Sequence, residues 1–179
     1  MQAPPQARGS LTDHGSTISG PELLRRLKAN GTTHIIWLPD SESSELYHLV
    51  QQDPNLTLVP ICREGESFAI AAGLLLGGQS PVVLIQSTGF FESGDSIRGI
   101  AIWLRLPLPV LIGYRGWQPN GASQDSAAVF LEPVLDAWGI PHRLLRDDGD
   151  LDRLDEAIEE ARRTSSPSAV LIAGEWRGA

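Results

Sequence analysis

Leu56-Thr57-Leu58-Val59-Pro60-Ile61, followed by Cys62-Arg63-Glu64-Gly65-Glu66-Ser67-Phe68-Ala69-Ile70-Ala71-Ala72-Gly73-Leu74-Leu75-Leu76, Gly77-Gly78 and Pro81-Val82-Val83-Leu84-Ile85-Gln86, is the stretch on which the fold turns. The first run is short and mostly apolar, as a strand is. The middle run predicts a helix over 64–76 with almost no polar face, and a helix apolar all round is a buried one. The last run is nearly unbroken Val, Leu and Ile, as in a strand covered on both sides. Strand, helix and strand in that order make a parallel βαβ unit.

The same alternation extends in both directions. Ser19-Gly20-Pro21-Glu22 has capping-box spacing with Pro just inside a helix start, and Leu23, Leu24 and Leu27 carry that helix to a Gly31 stop. His34 to Leu38 reads as a buried strand, after which Asp40 or Ser41 caps a helix bearing Leu46, Leu49 and Val50. Beyond Gln86 the pattern predicts a loop from Ser87 to Gly94 and a helix from Ile97 to Leu104, closed by Pro107 and Pro109. Strand 110–113, a polar loop from Tyr114 to Gln124 and a helix from Asp125 to Trp138 follow, with Pro133 as a kink. Strand 142–146, helix 150–163 and strand 169–173 complete the series. The expected fold class is α/β: an open, doubly wound, mostly parallel six-stranded sheet with helices on both faces. Such sheets bind ligands beyond the carboxyl ends of their strands. Pro39-Asp40-Ser41, Cys62-Arg63-Glu64 and Gln86-Ser87-Thr88-Gly89 each follow a strand, so they should converge on that rim.

The 179 residues, 41% hydrophobic and 20% charged, suit one globular domain with a substantial core. A formal charge of −8 argues against nucleic acid or an anionic membrane as partner. The lone Cys62 excludes an internal disulfide framework and reads as a small buried residue at a strand end. Residues 1–18 lack the apolar segment of a signal peptide and read as a flexible tail, leaving 19–179 as the domain and the cytoplasm as the expected location. No run approaches the roughly 18 apolar residues of a membrane span. His14, His34, His48 and His142 show no ligand-like spacing. Asp148, Asp150, Asp152 and Glu159 match parts of a calcium loop, but Arg153 stands where that loop needs glycine. They read instead as an acidic helix start capped by Asp150, so no metal ligand is expected in this chain.

Glu64 and Glu66 stand at the head of the apolar helix. Acidic residues there often do no more than offset the helix dipole. Carried toward an interior, however, a carboxylate is costly unless it is paired, hydrogen-bonded or able to share a proton.

Taken in order and spacing, Leu38-Pro39-Asp40-Ser41, Arg63-Glu64-Gly65-Glu66 with Ala71-Ala72-Gly73, Gln86-Ser87-Thr88-Gly89, and Ile112-Gly113-Tyr114-Arg115-Gly116 resemble the pyrimidine-binding domain of thiamine-diphosphate enzymes. More narrowly, the chain is similar to the alpha subunit of the sulfopyruvate decarboxylases and the N-terminal half of the phosphonopyruvate decarboxylases. The resemblance implies that residues 19–179 are such a domain, a carboxy-lyase subunit acting on a small anionic 2-oxo acid. In that family the catalytic glutamate precedes a small-residue pair by eight and nine positions. Glu64 meets this with Ala72 and Gly73, whereas Glu66 does not. The implied role of Glu64 is to share a proton with the aminopyrimidine ring of thiamine diphosphate, with Pro39, Asp40, Gln86, Ser87, Thr88 and Gly89 lining the cofactor. Ser41, Arg63, Arg98 and Arg115 are candidates for holding an anionic substrate tail.

The family's Gly-Asp-Gly motif with its downstream asparagine, which holds Mg2+ and the diphosphate, has no counterpart in this sequence. A separate diphosphate-binding beta subunit that binds the metal is therefore implied, together with self-association that places the cofactor at a subunit interface. The chain departs from its relatives after the third strand, where Ser87-Thr88-Gly89-Phe90-Phe91-Glu92-Ser93-Gly94-Asp95 is longer and carries two phenylalanines and, at Glu92, a carboxylate beside them. The alternative from a different class is a non-catalytic scaffold or cofactor-binding module of the same fold.

Overall fold

Ser19 marks the point where local chemistry starts the domain. The computed structural model describes residues 17–38, 44–121, 123–173 and 175–177. The expected tail lies outside these up to residue 16, while Thr17 and Ile18 belong to β1 (Thr17–Ser19). That strand runs directly into α1 (Gly20–Ala29), where the Ser19 hydroxyl accepts the Glu22 amide at 3.3 Å and Pro21 occupies the first turn. Beyond its end Gly31 takes a φ of +76°, a left-handed conformation that glycine adopts without penalty.

The chain continues as β2 (His34–Trp37), α2 (Ser44–Gln52), β3 (Thr57–Pro60), α3 (Glu66–Leu76) and β4 (Pro81–Gln86). After β4 come α4 (Ser87–Glu92), the single turn α5 (Gly94–Ser96) and a π-helical segment, Ile97–Ile102. Then follow β5 (Pro109–Gly113), α6 (Ser126–Ala137), β6 (His142–Leu145), α7 (Asp152–Thr164), β7 (Ser168–Ile172) and β8 (Glu175–Arg177).

Six strands form one sheet in the order β3-β2-β4-β5-β7-β6, and every pairing in it is parallel. This is the doubly wound α/β sheet expected from the alternating pattern. The two-stranded ribbon of β1 with β8, also parallel, was not foreseen. Successive residues of the central strands serve opposite cores, as the two-residue period of a strand requires. Ile35, Trp37, Val82 and Leu84 pack with Leu23, Leu27, Leu46 and Ile158 on one side. Ile36, Val83 and Ile85 pack with Phe68, Phe90, Leu131 and Leu135 on the other. The winding reverses at β2: β3 lies on one side of it and β4 on the other. The crevice between the carboxyl ends of β2 and β4 is thus the topological switch point.

Three local expectations are corrected. The segment expected as a loop from Ser87 to Gly94 is helical in α4, because Phe90 is buried against the Trp138 ring, centroids 5.6 Å apart, and the Ser93 hydroxyl donates to the Gly89 carbonyl at 2.7 Å. Asp150 does not cap α7. It accepts the Arg146 amide and Nε at 3.1 and 2.9 Å and pairs with Arg153 at 3.2 Å, while Asp147 caps the short turn before it. The third correction concerns α3, which is not a buried helix. Only Ser67, Phe68 and Ala71 are buried, and Leu76 is 89% exposed. One side of α3 packs on β2 and β4, and Ala69, Gly73 and Leu76 on the other side are exposed.

The buried Asp150 generates a pH prediction. The Arg146 guanidinium holds its carboxyl below the ordinary carboxylate range, outweighing the opposing effect of burial. A pKa lowered in the folded state stabilises above the unfolded value of about 3.9, and that stabilisation is lost as pH falls through the folded value. Asp150→Asn should lower the unfolding free energy in urea by about 1–2 kcal/mol at pH 7, a modest figure because both arginines are half-exposed. The gap to wild type should narrow below about pH 4. Equal stabilities at pH 7, or a gap that persists unchanged in acid, would contradict this account of the ion cluster.

Candidate functional site

β3 and β4 both pair with β2 and leave the sheet at similar levels: Trp37 lies opposite Pro60 on one side and Leu84 on the other. The residues that follow them therefore meet. Ile61 to Gly65 leaves β3 and enters α3 through a turn in which the Glu66 and Ser67 amides donate to the Arg63 and Glu64 carbonyls at 3.1 and 3.0 Å. Across the crevice, α4 begins immediately after Gln86.

Glu64 is half-buried, with its side chain lying against α4. A methyl group added at Gly89 would sit 2.5 Å from the Glu64 Cγ and 2.7 Å from Oε1, so only glycine admits this approach. No hydrogen bond from a described residue reaches the Glu64 carboxyl. Beside it, Ser87 is fully buried and its hydroxyl has no hydrogen-bond partner among the described residues. Buried polar groups in native proteins are nearly always satisfied, so this orphan points to a group yet to be supplied. Thr88 is exposed and donates to the Gln86 Oε1 at 2.9 Å. The structure thus brings Glu64, Gln86, Ser87, Thr88 and Gly89 to one rim, whereas Pro39, Asp40 and Ser41 lie outside the described residues. Cys62, expected to be buried, is exposed there.

The three arginines all have carboxylate partners. Arg63 pairs with Glu92, Arg98 with Asp95 at 2.6 Å, and Arg115 with Asp125 at 3.2 Å. Arg63 is the one adjoining Glu64. Arg115 is bound up with a turn: Gly116 has a φ of +76°, and a methyl group on it would lie 2.5 Å from the Asp125 Cβ. Tyr114 fixes the end of β5 to α6 by donating to Glu132 at 2.8 Å and to the Ala128 carbonyl at 3.3 Å, and burial followed by the Glu132 contact pushes its phenol well above the ordinary range.

Glu92 escaped the sequence reading. Its carboxylate accepts the Gly65 amide at 2.8 Å and the Arg63 Nε. The carboxylate in the lengthened segment was visible as a departure from the relatives, but nothing local ties residue 92 to residue 65.

The uncovered side of α3 begins beside Glu64. Ala69, Gly73 and Leu76 are exposed on it, and Ile70, Ala72, Leu74 and Leu75 are half-buried. The π-helical segment packs next to α3 and leads into Trp103 and Leu104, 82% and 58% exposed.

Doubly wound parallel sheets bind ligands at the switch point as a rule, and here the Glu64 carboxyl, without a hydrogen-bond partner among the described residues, lies against Gly89 at that edge. No protein-family profile matches the chain. It is similar to the sulfopyruvate decarboxylase of Methanosarcina acetivorans, 26% identical over 152 residues that make up 84% of this chain and 39% of the relative. It is also similar to the sulfopyruvate decarboxylase subunit alpha of Methanocaldococcus jannaschii, 28% identical over 66% of this chain and 71% of the relative. A third relative is the phosphonopyruvate decarboxylase of Streptomyces viridochromogenes, 28% identical over 55% of this chain and 25% of that protein. The chain thus spans well under half of the first relative and most of the alpha subunit. The resemblance to the sulfopyruvate and phosphonopyruvate decarboxylases read from the motifs is borne out.

The packing of Glu64 on Gly89 can be measured as a coupling. Gly89→Ala alone should destabilise by about 1–3 kcal/mol through overpacking. In a Glu64→Ala background, which removes the three clashing atoms, the same change should be neutral or stabilising by up to about 1 kcal/mol, since alanine is the better helix former. Strictly additive free energies in the double-mutant cycle would show that the two residues do not touch.

Proposed function

We propose that this chain is the alpha, pyrimidine-binding subunit of a thiamine-diphosphate-dependent 2-oxo acid decarboxylase, working with a separate diphosphate-binding beta subunit that holds Mg2+. The observation that carries this reading is the Glu64 carboxyl, set against Gly89 at the switch point and free of any described protein partner. The names of the relatives support it, as does the match in extent to a free-standing alpha subunit. No helix among the described residues is long and apolar enough to cross a membrane, and a cytoplasmic enzyme fits the reading.

The residues present fit the cofactor. An unpaired carboxyl, a glycine wall that admits close approach and an orphaned buried hydroxyl at Ser87 supply a proton partner, space and an unused hydrogen-bonding group. Thiamine diphosphate, when bound, supplies the electron sink that carbon dioxide release from a 2-oxo acid requires. Glu64 holds a proton at its carboxyl oxygen and shares it with the pyrimidine ring nitrogen. Gln86, Ser87, Thr88 and Gly89 would line the ring, a role the resemblance implies for Pro39 and Asp40 as well. The bare side of α3 takes up a subunit boundary, and closing it would exclude water from the half-exposed Glu64 and strengthen every polar contact there. For the substrate, an anionic 2-oxo acid such as sulfopyruvate or phosphonopyruvate, Arg63 is placed at the rim; Ser41, Arg98 and Arg115 remain further candidates. To bind the anionic tail, each arginine must exchange a carboxylate partner for it.

The test is to copurify the chain with the beta subunit and follow carbon dioxide release from sulfopyruvate, phosphonopyruvate and pyruvate with thiamine diphosphate and magnesium. Glu64→Gln should cut turnover by at least about 100-fold, the scale of a lost acid–base group, with the complex still assembled. Full turnover by that variant would remove Glu64 from the chemistry. A wild-type complex that neither binds thiamine diphosphate nor releases carbon dioxide would favour the scaffold instead.

A further inference from the structure

We propose that Glu92 is a positioning residue for Glu64, holding the turn that aims its carboxyl; the role rests on the reading of Glu64 just given. Glu92 grips the chain on both sides of residue 64. One carboxylate oxygen accepts the Gly65 amide at 2.8 Å and the other accepts the Arg63 Nε. Gly65 is the N-cap of α3 and has no side-chain cap of its own, so its amide would otherwise be an orphan. In a capping box, a glutamate three residues into the helix reaches back to that amide. Here a glutamate from another element does so across the crevice.

The clamp and the wall share one helix. Gly89, against which Glu64 lies, and Glu92 are three residues apart on α4, and positions so spaced are neighbours on one helical face. α4 therefore sets both where the 63–65 turn sits and how far the Glu64 side chain can swing. The fit at Gly65 is close too: a methyl group there would come within 3.2 Å of the Glu92 carboxylate and 3.7 Å of the Ser96 hydroxyl. The Arg63 guanidinium and then the Gly65 amide hold the Glu92 carboxyl below the ordinary carboxylate range, so it stays ionised and acts only as an acceptor.

An exposed Arg–Glu pair alone contributes little, and Arg63 is 72% exposed. The backbone bond makes the difference, because an amide donating to an ionised carboxylate forms one of the stronger hydrogen bonds. A shift of the Glu64 carboxyl by about 1 Å is worth roughly 100-fold in rate when a proton has to be placed.

The experiment uses the complex with the beta subunit and three variants at position 92. Glu92→Ala should lower kcat by about 10–100-fold, with KM for the 2-oxo acid changed less than about threefold and the melting temperature and assembly close to wild type. Glu92→Gln, whose amide oxygen still accepts from Gly65, should recover most of that loss. Independently of turnover, the Gly65 amide proton should move upfield in the NMR spectrum of the chain on Glu92→Ala and much less on Glu92→Gln. Wild-type kcat in Glu92→Ala, a glutamine variant no better than alanine, or an unmoved Gly65 resonance would each overturn the assignment. If the alanine variant does not assemble, Glu92→Asp replaces it. Its acceptor is drawn back by one methylene, so a kcat at least about fivefold lower supports the role and wild-type kcat refutes it. A wild-type complex without cofactor binding or turnover would sink the reading of Glu64 and this role with it, whereas normal wild-type turnover with an indifferent position 92 would sink this role alone.

Discussion

Parallel pairing of β2 with both β3 and β4 is the constraint from which the rim follows. His34 lies opposite Thr57 on one side and Pro81 on the other, and the register continues to Trp37. Two strands pinned to the same neighbour in the same direction release their chains at the same level. Residues 61–65 and 86–92, separated by the whole of α3 and β4, thereby face each other across a crevice. A one-residue slip in either ladder would turn Ile35 and Trp37, or Val82 and Leu84, out of their core, so the two cores themselves lock the register.

Charge is distributed unevenly around that crevice. Most acidic side chains elsewhere are held by a cation or a backbone amide: Asp150 by Arg146 and Arg153, Asp53 by Lys28, Asp152 and Asp155 by Arg26, and Glu160 by Arg143. Glu92 follows this pattern, but the carboxyl of Glu64 has no hydrogen-bond or ion-pair partner among the described residues. A half-buried carboxyl without a partner is a cost to the fold. The Glu64 carboxyl lies against Gly89 on α4, the helix that begins with Ser87, whose buried hydroxyl has no partner among the described residues.

α3 carries an apolar surface away from this site. After Glu66 it carries no charged residue, and it packs through buried Ser67, Phe68 and Ala71 with half-buried Ile70 and Leu74, leaving Ala69, Gly73 and Leu76 exposed. The apolar surface left over starts at the rim beside Glu64 and extends to Leu76, with Trp103 and Leu104 beyond the segment beside it. Its composition reads as that of a buried helix, and the structure corrects this: only Ser67, Phe68 and Ala71 are buried, and Leu76 is 89% exposed.

The sequence by itself determined the local elements and their class. Runs of Val, Ile and Leu marked the strands, Ser19 and Gly31 bounded α1 as their side-chain and backbone chemistry demands, and strict alternation of strand and helix made the sheet parallel. It also located the rim, because the segments after successive parallel strands fall on the same edge of a sheet. Tertiary structure alone decided the strand order, the β1–β8 ribbon, the coiling of 87–92 around buried Phe90, the exposed face of α3 and the grip of Glu92 on Gly65. The division has a physical cause. Caps, periodicity and propensity act over three or four residues and are written in neighbouring letters, whereas a carboxylate 27 positions from the amide it binds is chosen only by how the folded strands place the two.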